Sequence, residues 1–536
     1  MTKASKMKFR IEILSILSKY HAKKHLALEI LKEDLRFFAN FEDKEFLAKI
    51  LISEIVTGDK RYAKFCSSFL LKTLDKENIE KHALKTLKDK KIPDKKKMFL
   101  ISVLKQKDIN FDLHEIENFV NDVEKISKDN LEEFLYNMTN NLEVQIDLLD
   151  FYSNVPKEEK LMLLKSLMED EGMEDIQRVC SLLTNLELSS EEKDIITPVL
   201  LSSNSPYLLR GLKNLLTVFD DTEETTKRKI KRKISEINLK NPNFKDLTFV
   251  KNTSIYKTLI GSVDGCSNFS LIFSRIDKND FADTFFVTIN IELGVTSCIG
   301  FNKIHKKNFE EILSRLFADS PPACIEPKVF VAFLNYYTKK NTQTNTAIPY
   351  ELNIWSNLVS DVENDIDDLS LYLNSELERV DIKKEKLRKI LSSKILNSWF
   401  YTKNQNEKSD KIFTLLNKNN ICNMEKLEED ILNFIKQEIL SDKHSVEIFL
   451  SQLLIQGYVI KLLKFKILAD YLYSICFSEE YLEIFLNHIF QKSIYHYLLE
   501  KSNSSIQKNI FNKEEKLPFT ADEMLKTAEL IEKRWK

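Results

Sequence analysis

The sequence predicts a mainly α-helical protein with an amino-terminal α-solenoid of helix pairs, a small central α+β module with an antiparallel sheet, and a carboxyl-terminal helical domain. The 536-residue chain contains only eight glycines and ten prolines, well below the average use of about 7% and 5%. Because tight turns depend on these residues, long helices are favoured. Four of the eight glycines nevertheless cluster near the middle of the chain. We expect the three domains at residues 1–245, 246–340 and 347–536.

The amino-terminal domain is predicted to be helical because apolar residues recur there at the spacing of one buried helix face. Groups with this spacing begin at Ile13, Phe46, Phe69, Phe99, Leu131, Ile176 and Leu208. Short breakers separate several of the groups, as at Gly58, Pro93 and Pro206. The pattern therefore predicts a series of helices joined by short turns.

A weak internal repeat links these helices. Ile92-Pro93 and Val155-Pro156 are followed by apolar residues in the same register, and Glu158-Glu159-Lys160 recurs as Glu191-Glu192-Lys193. A unit of about 31 to 33 residues fits both offsets and is the length of one helix pair. On these residues, 1–245 resembles HEAT or armadillo-like helical repeats, and the resemblance implies a superhelix with an extended concave binding surface. An irregular helical domain without repeats is the alternative.

The central module is predicted from a change to alternating polar and apolar residues around Gly261, Gly265, Gly294 and Gly300. We expect strands at 254–263, 269–275, 284–291 and 295–301, joined as an antiparallel meander. A helix at 307–317 and a second helix that starts near Pro327 should follow.

The carboxyl-terminal domain follows a polar link at 339–346, after which helical spacing returns. Its last helix has the clearest start signal in the chain. Thr520 and Glu523 form a capping box, and Phe519 and Met524 are spaced as a hydrophobic staple. We therefore expect an ordered carboxyl-terminal helix.

Charge and cysteine usage limit the class of protein. Eighty basic against 82 acidic residues leave a formal net charge of −2, so the whole chain carries no field that attracts nucleic acid or an anionic membrane. The seven cysteines are odd in number and lack a CxxC pair, which indicates reduced thiols in a cytoplasmic protein. The most apolar region, 449–477, is interrupted by charged and amide residues, so no membrane span is expected.

One segment is a candidate for polyanion contact. Its bases are Lys227, Arg228, Lys229, Lys231, Arg232 and Lys233, and such clusters contact phosphates in other proteins. However, Ile230, Ile234 and Ile237 give the segment an apolar stripe, and acidic residues precede it. A solvated amphipathic helix, with its charges aligned with the helix dipole, is the favoured interpretation.

The sequence contains no recognised motif for metal, nucleotide or nucleophilic chemistry. HExxH, GxxxxGK[ST] and GxGxxG are all missing, and the acidic run at 361–372 lacks the glycine and glutamate of a calcium loop. The local group whose side chains could carry out a reaction is Asp264, Cys266 and His305 of the central module. The default interpretation of cysteines at such positions is nevertheless a buried thiol. No catalytic, cofactor or metal residue is therefore assigned, and no cofactor is expected.

Two functions of different class remain open. The favoured one is a non-enzymatic scaffold that binds a protein partner through the solenoid. The alternative is a helical-repeat protein whose central module is catalytic or binds nucleic acid; a base-excision enzyme is a minor form of it, since no tryptophan precedes Trp355.

Overall fold

The computed structural model describes residues 3–22, 32–120, 138, 141–168, 173–218, 224–242, 244, 246–318, 320–383, 387, 390–391, 396, 398–402, 407–416, 424–507 and 521–535. The chain divides into two compact units, Met1–Asn140 and Asn141–Lys536. The predicted fold class is confirmed: the described residues are mainly helical, with one antiparallel five-stranded sheet in the central region. The second unit contains both the helices after residue 141 and the sheet, and the domain boundaries predicted from sequence stay predictions.

The first unit is helical throughout its described part. Its helices are α1 (Lys3–Ala22), α2 (Lys32–Ala39), α3 (Lys44–Thr57), α4 (Lys60–Thr73), α5 (Lys76–Leu87), α6 (Asp94–Lys105) and α7 (Leu113–Phe119). The Asp43 and Asp59 carboxylates accept hydrogen bonds from the first turns of α3 and α4 and so cap both helices. The ring of Phe69 packs on Tyr20 and Phe38 in a continuous apolar core.

The described residues at the start of the second unit form six α-helices and one 3₁₀ turn, at Pro206–Leu208. The helices are α8 (Leu142–Asn154), α9 (Lys157–Met168), α10 (Met173–Leu183), α11 (Ser190–Ser202), α12 (Leu209–Val218) and α13 (Glu224–Lys240). Ser189 and Glu192 form a capping box at the start of α11. Tyr152 of α8 donates a 2.6 Å hydrogen bond to the Glu192 carboxylate, which ties the two helices together.

Five strands follow, and four of them form the predicted meander. The strands are β1 (Thr253–Ile260), β2 (Asn268–Asp277), β3 (Phe281–Asn290), β4 (Gly294–His305) and β5 (Ala323–Cys324), in the order β4-β3-β2-β1-β5. Every pairing is antiparallel. The two-residue strand β5 was not predicted, because it is too short to carry an alternating pattern.

A helix covers each face of this sheet. On one face, Phe309 and Leu313 of α14 (Lys306–Leu316) pack on Leu259, Ile272 and Phe286. On the other face, aromatic rings of α15 (Pro327–Thr344) pack on rings of β2 and β3. The ring contacts are Phe330 with Phe273 and Phe285, and Phe333 and Tyr337 with Phe269.

The polar link predicted at 339–346 is wrong over most of its length, because α15 continues to Thr344. Asn341 is fully buried there, and its side-chain amide binds the main chain of Val295 at the start of β4. A polar residue in this segment is therefore a core position. Asn345, with a left-handed backbone at φ 53°, ends the helix.

The remaining described elements are helical. They are α16 (Tyr350–Trp355), a 3₁₀ turn (Ser356–Val359), α17 (Leu369–Ser375), α18 (Glu407–Thr414), α19 (Met424–Phe434), a π-helical turn (Ile435–Leu440), α20 (Lys443–Leu462), α21 (Lys466–Ile475), α22 (Glu479–Gln507) and α23 (Ala521–Trp535). Thr520 and Phe519 of the predicted capping box lie outside the described residues. Arg275 of β2 is 4% exposed and makes a bidentate ion pair with Asp361, which ties the sheet to the segment after α16.

Among the described residues, only α20 is long and apolar enough to be considered as a membrane span. The mean hydropathy of its 18-residue window is 1.2, and 56% of that window is buried inside the protein. Its buried residues include Gln452 and Gln456. Burial of this extent is the arrangement of a core helix.

Candidate functional site

The structure separates the predicted chemical group of Asp264, Cys266 and His305. Asp264 and Cys266 lie in the turn before β2, at the sheet end where Asn268 pairs with Asn290. His305 lies at the far end of β4, opposite Phe281. Nine residue steps along β3 separate these ends, which corresponds to about 30 Å. Since a nucleophile and its base must be within hydrogen-bond reach, this group cannot act together.

His305 has a structural role instead. Its Nδ1 atom accepts a 3.3 Å hydrogen bond from the main-chain N–H of Lys307 and so caps the start of α14. Its ring also meets the ring of Phe281 edge-on, with centroids 5.7 Å apart.

Cys298 of the module lacks the features of a reactive cysteine. Cys298 is 3% exposed within β4, and burial raises its pKa well above the usual range. Reactive cysteines have a lowered pKa and an electropositive environment. The six cysteines that the structure describes are all thiols, with no disulfide between them.

The turn between β1 and β2 is a packed structural element. One Asp264 carboxylate oxygen accepts 2.8 Å hydrogen bonds from the main-chain N–H groups of Cys266 and Asn268. Burial raises the pKa of Asp264, and these hydrogen bonds partly offset that effect. A Cβ atom on Gly265 would lie 2.4 Å from the main-chain nitrogen of Phe400. The close approach of these two segments of the chain leaves no room for a substrate beside Gly265.

Two glutamines of α20 complete this turn. Gln456 accepts a 2.7 Å hydrogen bond from the Val263 N–H, and Gln452 donates a 2.6 Å hydrogen bond to the Ser267 hydroxyl. Both glutamine side chains are at most 1% exposed. They replace the water that would otherwise satisfy the turn.

Lys492 is buried and His488 is half-buried on neighbouring turns of α22. Lys492 is 8% exposed, donates a 2.7 Å hydrogen bond to the Leu396 carbonyl, and has its pKa lowered to about 8 by burial. Burial, and then the charge of Lys492, lower the pKa of His488 to about 4. No carboxylate of the described residues pairs with Lys492. The interior therefore favours the neutral forms of both groups.

The six bases of the candidate polyanion contact lie on α13. Ile230 and Ile237 of this helix are fully buried, as the apolar stripe predicts. Arg228 and Arg232 are 76% and 83% exposed, and each pairs with a glutamate one turn away on the same helix. The helix thus presents its bases to solvent, and contact with a polyanion stays a prediction.

The described residues contain an open polar cleft of about 510 Å³ in the second unit. The turn 184–188 between α10 and α11, the start of α11, the second half of α12 and α16 together form its walls. Its hydroxyl and amide side chains are Thr184, Asn185, Asn214, Thr217 and Asn353. Glu187 and Lys193 contribute one charge of each sign, and Leu186 and Leu188 complete the wall.

Hydrogen bonds fix the orientation of the Asn214 amide in this cleft. Thr184 donates its hydroxyl proton to the Ser181 carbonyl at 2.6 Å, and Asn185 donates to the Leu182 carbonyl at 2.7 Å. The oxygens of both side chains are then acceptors for the Asn214 Nδ2 group, at 3.4 Å and 3.0 Å. The Asn214 Oδ1 atom is left as an acceptor without a partner in the described part of the chain.

The other unpaired groups of the cleft are those of Asn353 and Glu187. Neither side chain makes a hydrogen bond or ion pair with a described residue. An amide offers two donors and one acceptor site, and a carboxylate offers acceptors only. The cleft thus presents a small set of unpaired polar groups that can bind a ligand.

Sequence reasoning missed this cleft because its residues come from the turn 184–188 and from three separate helices. The local signal was the occurrence of asparagine within helices, where it is disfavoured. Asn214 of α12 is such a residue. No motif connects it with Asn353.

Within the described residues, no group of three or more His, Cys, Asp or Glu side chains could hold a metal ion. Comparison with known proteins finds no matching family model, no matching curated protein and no matching solved structure.

Proposed function

We propose that this chain is a non-enzymatic scaffold that binds a protein partner, with helical repeats over residues 1–245 as part of its binding surface. The observation that carries the proposal is the polar cleft, whose unpaired groups are amides and one carboxylate. Such groups bind by hydrogen bonding, whereas catalysis needs an acid, base or nucleophile in a matched pair. A cytoplasmic location is part of the same proposal and is supported by the cysteine thiols.

The chemistry of the cleft favours binding over reaction. Its only hydroxyls are those of Thr184 and Thr217, and both donate their protons to helix carbonyls. Among the lining residues there is no histidine or cysteine. The separation of His305 from Asp264 and Cys266 also removes the one catalytic group that the sequence suggested.

The test is purification of the tagged full-length protein from its own host, with and without nuclease. Each co-purifying protein is then produced separately, and its dissociation constant is measured by calorimetry with purified components. A partner that binds directly in the purified system supports the scaffold. Hydrolysis or transfer of a bound small molecule, with no direct protein partner, would contradict it.

Contact with nucleic acid is a second candidate, and the exposed bases of α13 are the observation that favours it. Lys229 and Lys231 make no side-chain contact with described residues, so their ammonium groups are available to phosphates. Each phosphate contact contributes about 0.9 to the slope of log K against log[salt]. The double variant Lys229→Glu with Lys231→Glu should bind a fluorescent 20-base-pair DNA duplex with a weaker salt dependence. The magnitude of the slope should decrease by about 2.

The matched control carries the same charge change at the end of α6 and in the turn after it, as Lys105→Glu with Lys107→Glu. If both double variants lower the slope equally, the effect comes from net charge, and α13 is not a specific contact. If the wild-type protein does not bind the duplex at 50 mM salt, this candidate is excluded.

A further inference from the structure

We propose that the polar cleft binds an extended polypeptide segment through its main chain, with a lysine or arginine side chain of that segment beside Glu187. This inference rests on the proposed scaffold function and names the chemistry of its partner. It identifies Asn214, Asn353 and Glu187 as the binding residues.

The Asn214 amide is held in one orientation. Its Nδ2 group is committed to Thr184 and Asn185, so the amide cannot turn over without placing its oxygen against two acceptors. The free Oδ1 atom is therefore open to a donor of the ligand. A main-chain N–H is such a donor and occurs at every residue of a peptide except proline.

The Asn353 amide is complementary to the main chain of a peptide. Its unpaired amide carries donors for a main-chain carbonyl and an acceptor for a main-chain N–H. Together with Asn214 it offers donors and acceptors to the main chain of an extended segment. A helix already uses these groups internally, so only an extended segment has them available.

The residues that line the cleft exclude other classes of ligand. The cleft is open and polar, unlike the mostly apolar and enclosed pockets that hold small molecules. No aromatic ring lines it, so a sugar or a base would lack a flat surface on which to stack. The cleft has a single lysine, and so the site lacks the cluster of bases that a phosphate requires.

The charge of the cleft favours one kind of side chain on the bound segment. The Glu187 carboxylate is exposed and unpaired, whereas Lys193 has an interaction within the protein. The uncompensated charge at the cleft is therefore negative. Opposite charge across an interface confers specificity, and so a basic side chain is favoured next to the bound main chain.

The experiment uses immobilised full-length protein and a displayed library of random heptapeptides as the probe. Peptides enriched on the wild type are synthesised, and their dissociation constants are measured by fluorescence anisotropy for three variants. Asn353→Ala removes an amide that holds no structural partner. Glu187→Gln removes the charge, and Asn238→Ala, an exposed asparagine on α13, is the matched control.

We expect Asn353→Ala to weaken binding about fivefold to tenfold, the value of one to two neutral hydrogen bonds, and Asn238→Ala to leave it unchanged. The peptides should share a lysine or arginine, and Glu187→Gln should remove that preference. N-methylation of one peptide amide should weaken binding more than an alanine substitution at the same residue, because the main chain is what the cleft binds.

Failure to enrich any peptide, or equal affinity of the enriched peptides for wild type and Asn353→Ala, overturns the assignment of the cleft. A purified partner that still binds Asn353→Ala with wild-type affinity would keep the scaffold and remove the cleft from it. If the wild-type protein binds neither a peptide nor a purified partner, the proposed scaffold function is overturned as well. Intact tryptophan fluorescence in each variant shows that the second unit is folded.

Discussion

Asn341 should be among the most costly polar residues to replace. Its buried amide accepts a 2.7 Å hydrogen bond from the Val295 N–H and donates a 2.9 Å hydrogen bond to the Val295 carbonyl, as a neighbouring strand would do. In Asn341→Ala both main-chain groups lose their partner, at about 1–3 kcal/mol each. Alanine returns about 0.5 kcal/mol of helix propensity. The expected loss in free energy of unfolding is therefore about 2–5 kcal/mol.

The tryptophans allow this loss to be measured in the correct unit. All three, Trp355, Trp399 and Trp535, belong to the second unit, so urea unfolding followed by tryptophan fluorescence reports that unit alone. Asn238→Ala is the control and should shift the free energy by less than about 0.5 kcal/mol.

Hydrogen exchange provides an independent readout for Asn341→Ala. The Val295 amide should exchange much faster in this variant, because its acceptor is gone. If the variant unfolds at the wild-type urea midpoint with an unchanged slope, the pairing of Asn341 with β4 contributes nothing to stability, and the reasoning is refuted.

Three further predictions concern buried charges, each measured by urea unfolding of the variant and the wild type. The folded pKa of Lys492 is lowered to about 8; the unfolded chain thus binds more protons between pH 8 and 10.5, and wild-type stability should rise with pH by up to about 3 kcal/mol relative to Lys492→Met. The folded pKa of His488 is lowered to about 4; stability should therefore fall by about 2 kcal/mol as the pH drops from 6.5 to 4, and His488→Gln should lack this loss. Asp361→Asn leaves the buried Arg275 without its carboxylate; since Asp361 is itself 35% exposed and Arg275 keeps its hydrogen bonds to Thr253 and Leu358, the cost should be about 1–3 kcal/mol, whereas Asp365→Asn, at an exposed pair, should cost under about 1 kcal/mol. A flat pH profile of the difference, or equal costs for the two aspartates, would contradict the respective prediction.

The sheet could be predicted because its strands carry a local pattern. Alternation predicted a strand at 269–275, and the observed β2 runs from Asn268 to Asp277. The short strand β5 depends on β1 as its neighbour, and no local pattern specifies it. Similarly, the polar composition of 339–346 indicated a link, since the burial of Asn341 depends on where β4 lies.

The error over His305 has a geometric cause. Three strands of a meander separate Cys266 from His305, and each strand crosses the sheet once. An odd number of crossings places the two residues at opposite ends. The predicted meander was thus already inconsistent with a site that joined them.

The cleft could not be predicted, since it exists only where the turn 184–188 and three helices meet. Asn214 and Asn353 are separated by the whole of the sheet in sequence. Which asparagines converge depends on how the helices pack, and a single sequence holds no record of that packing.

The two glutamines of α20 have a consequence for the order of synthesis. Val263 and Gln456 are 193 residues apart, and Ser267 and Gln452 are 185 residues apart. At about 5–20 residues per second, a ribosome needs about 10–40 s to bridge such an interval. During that time the nascent sheet has its strands, but one end of it has only water as a partner.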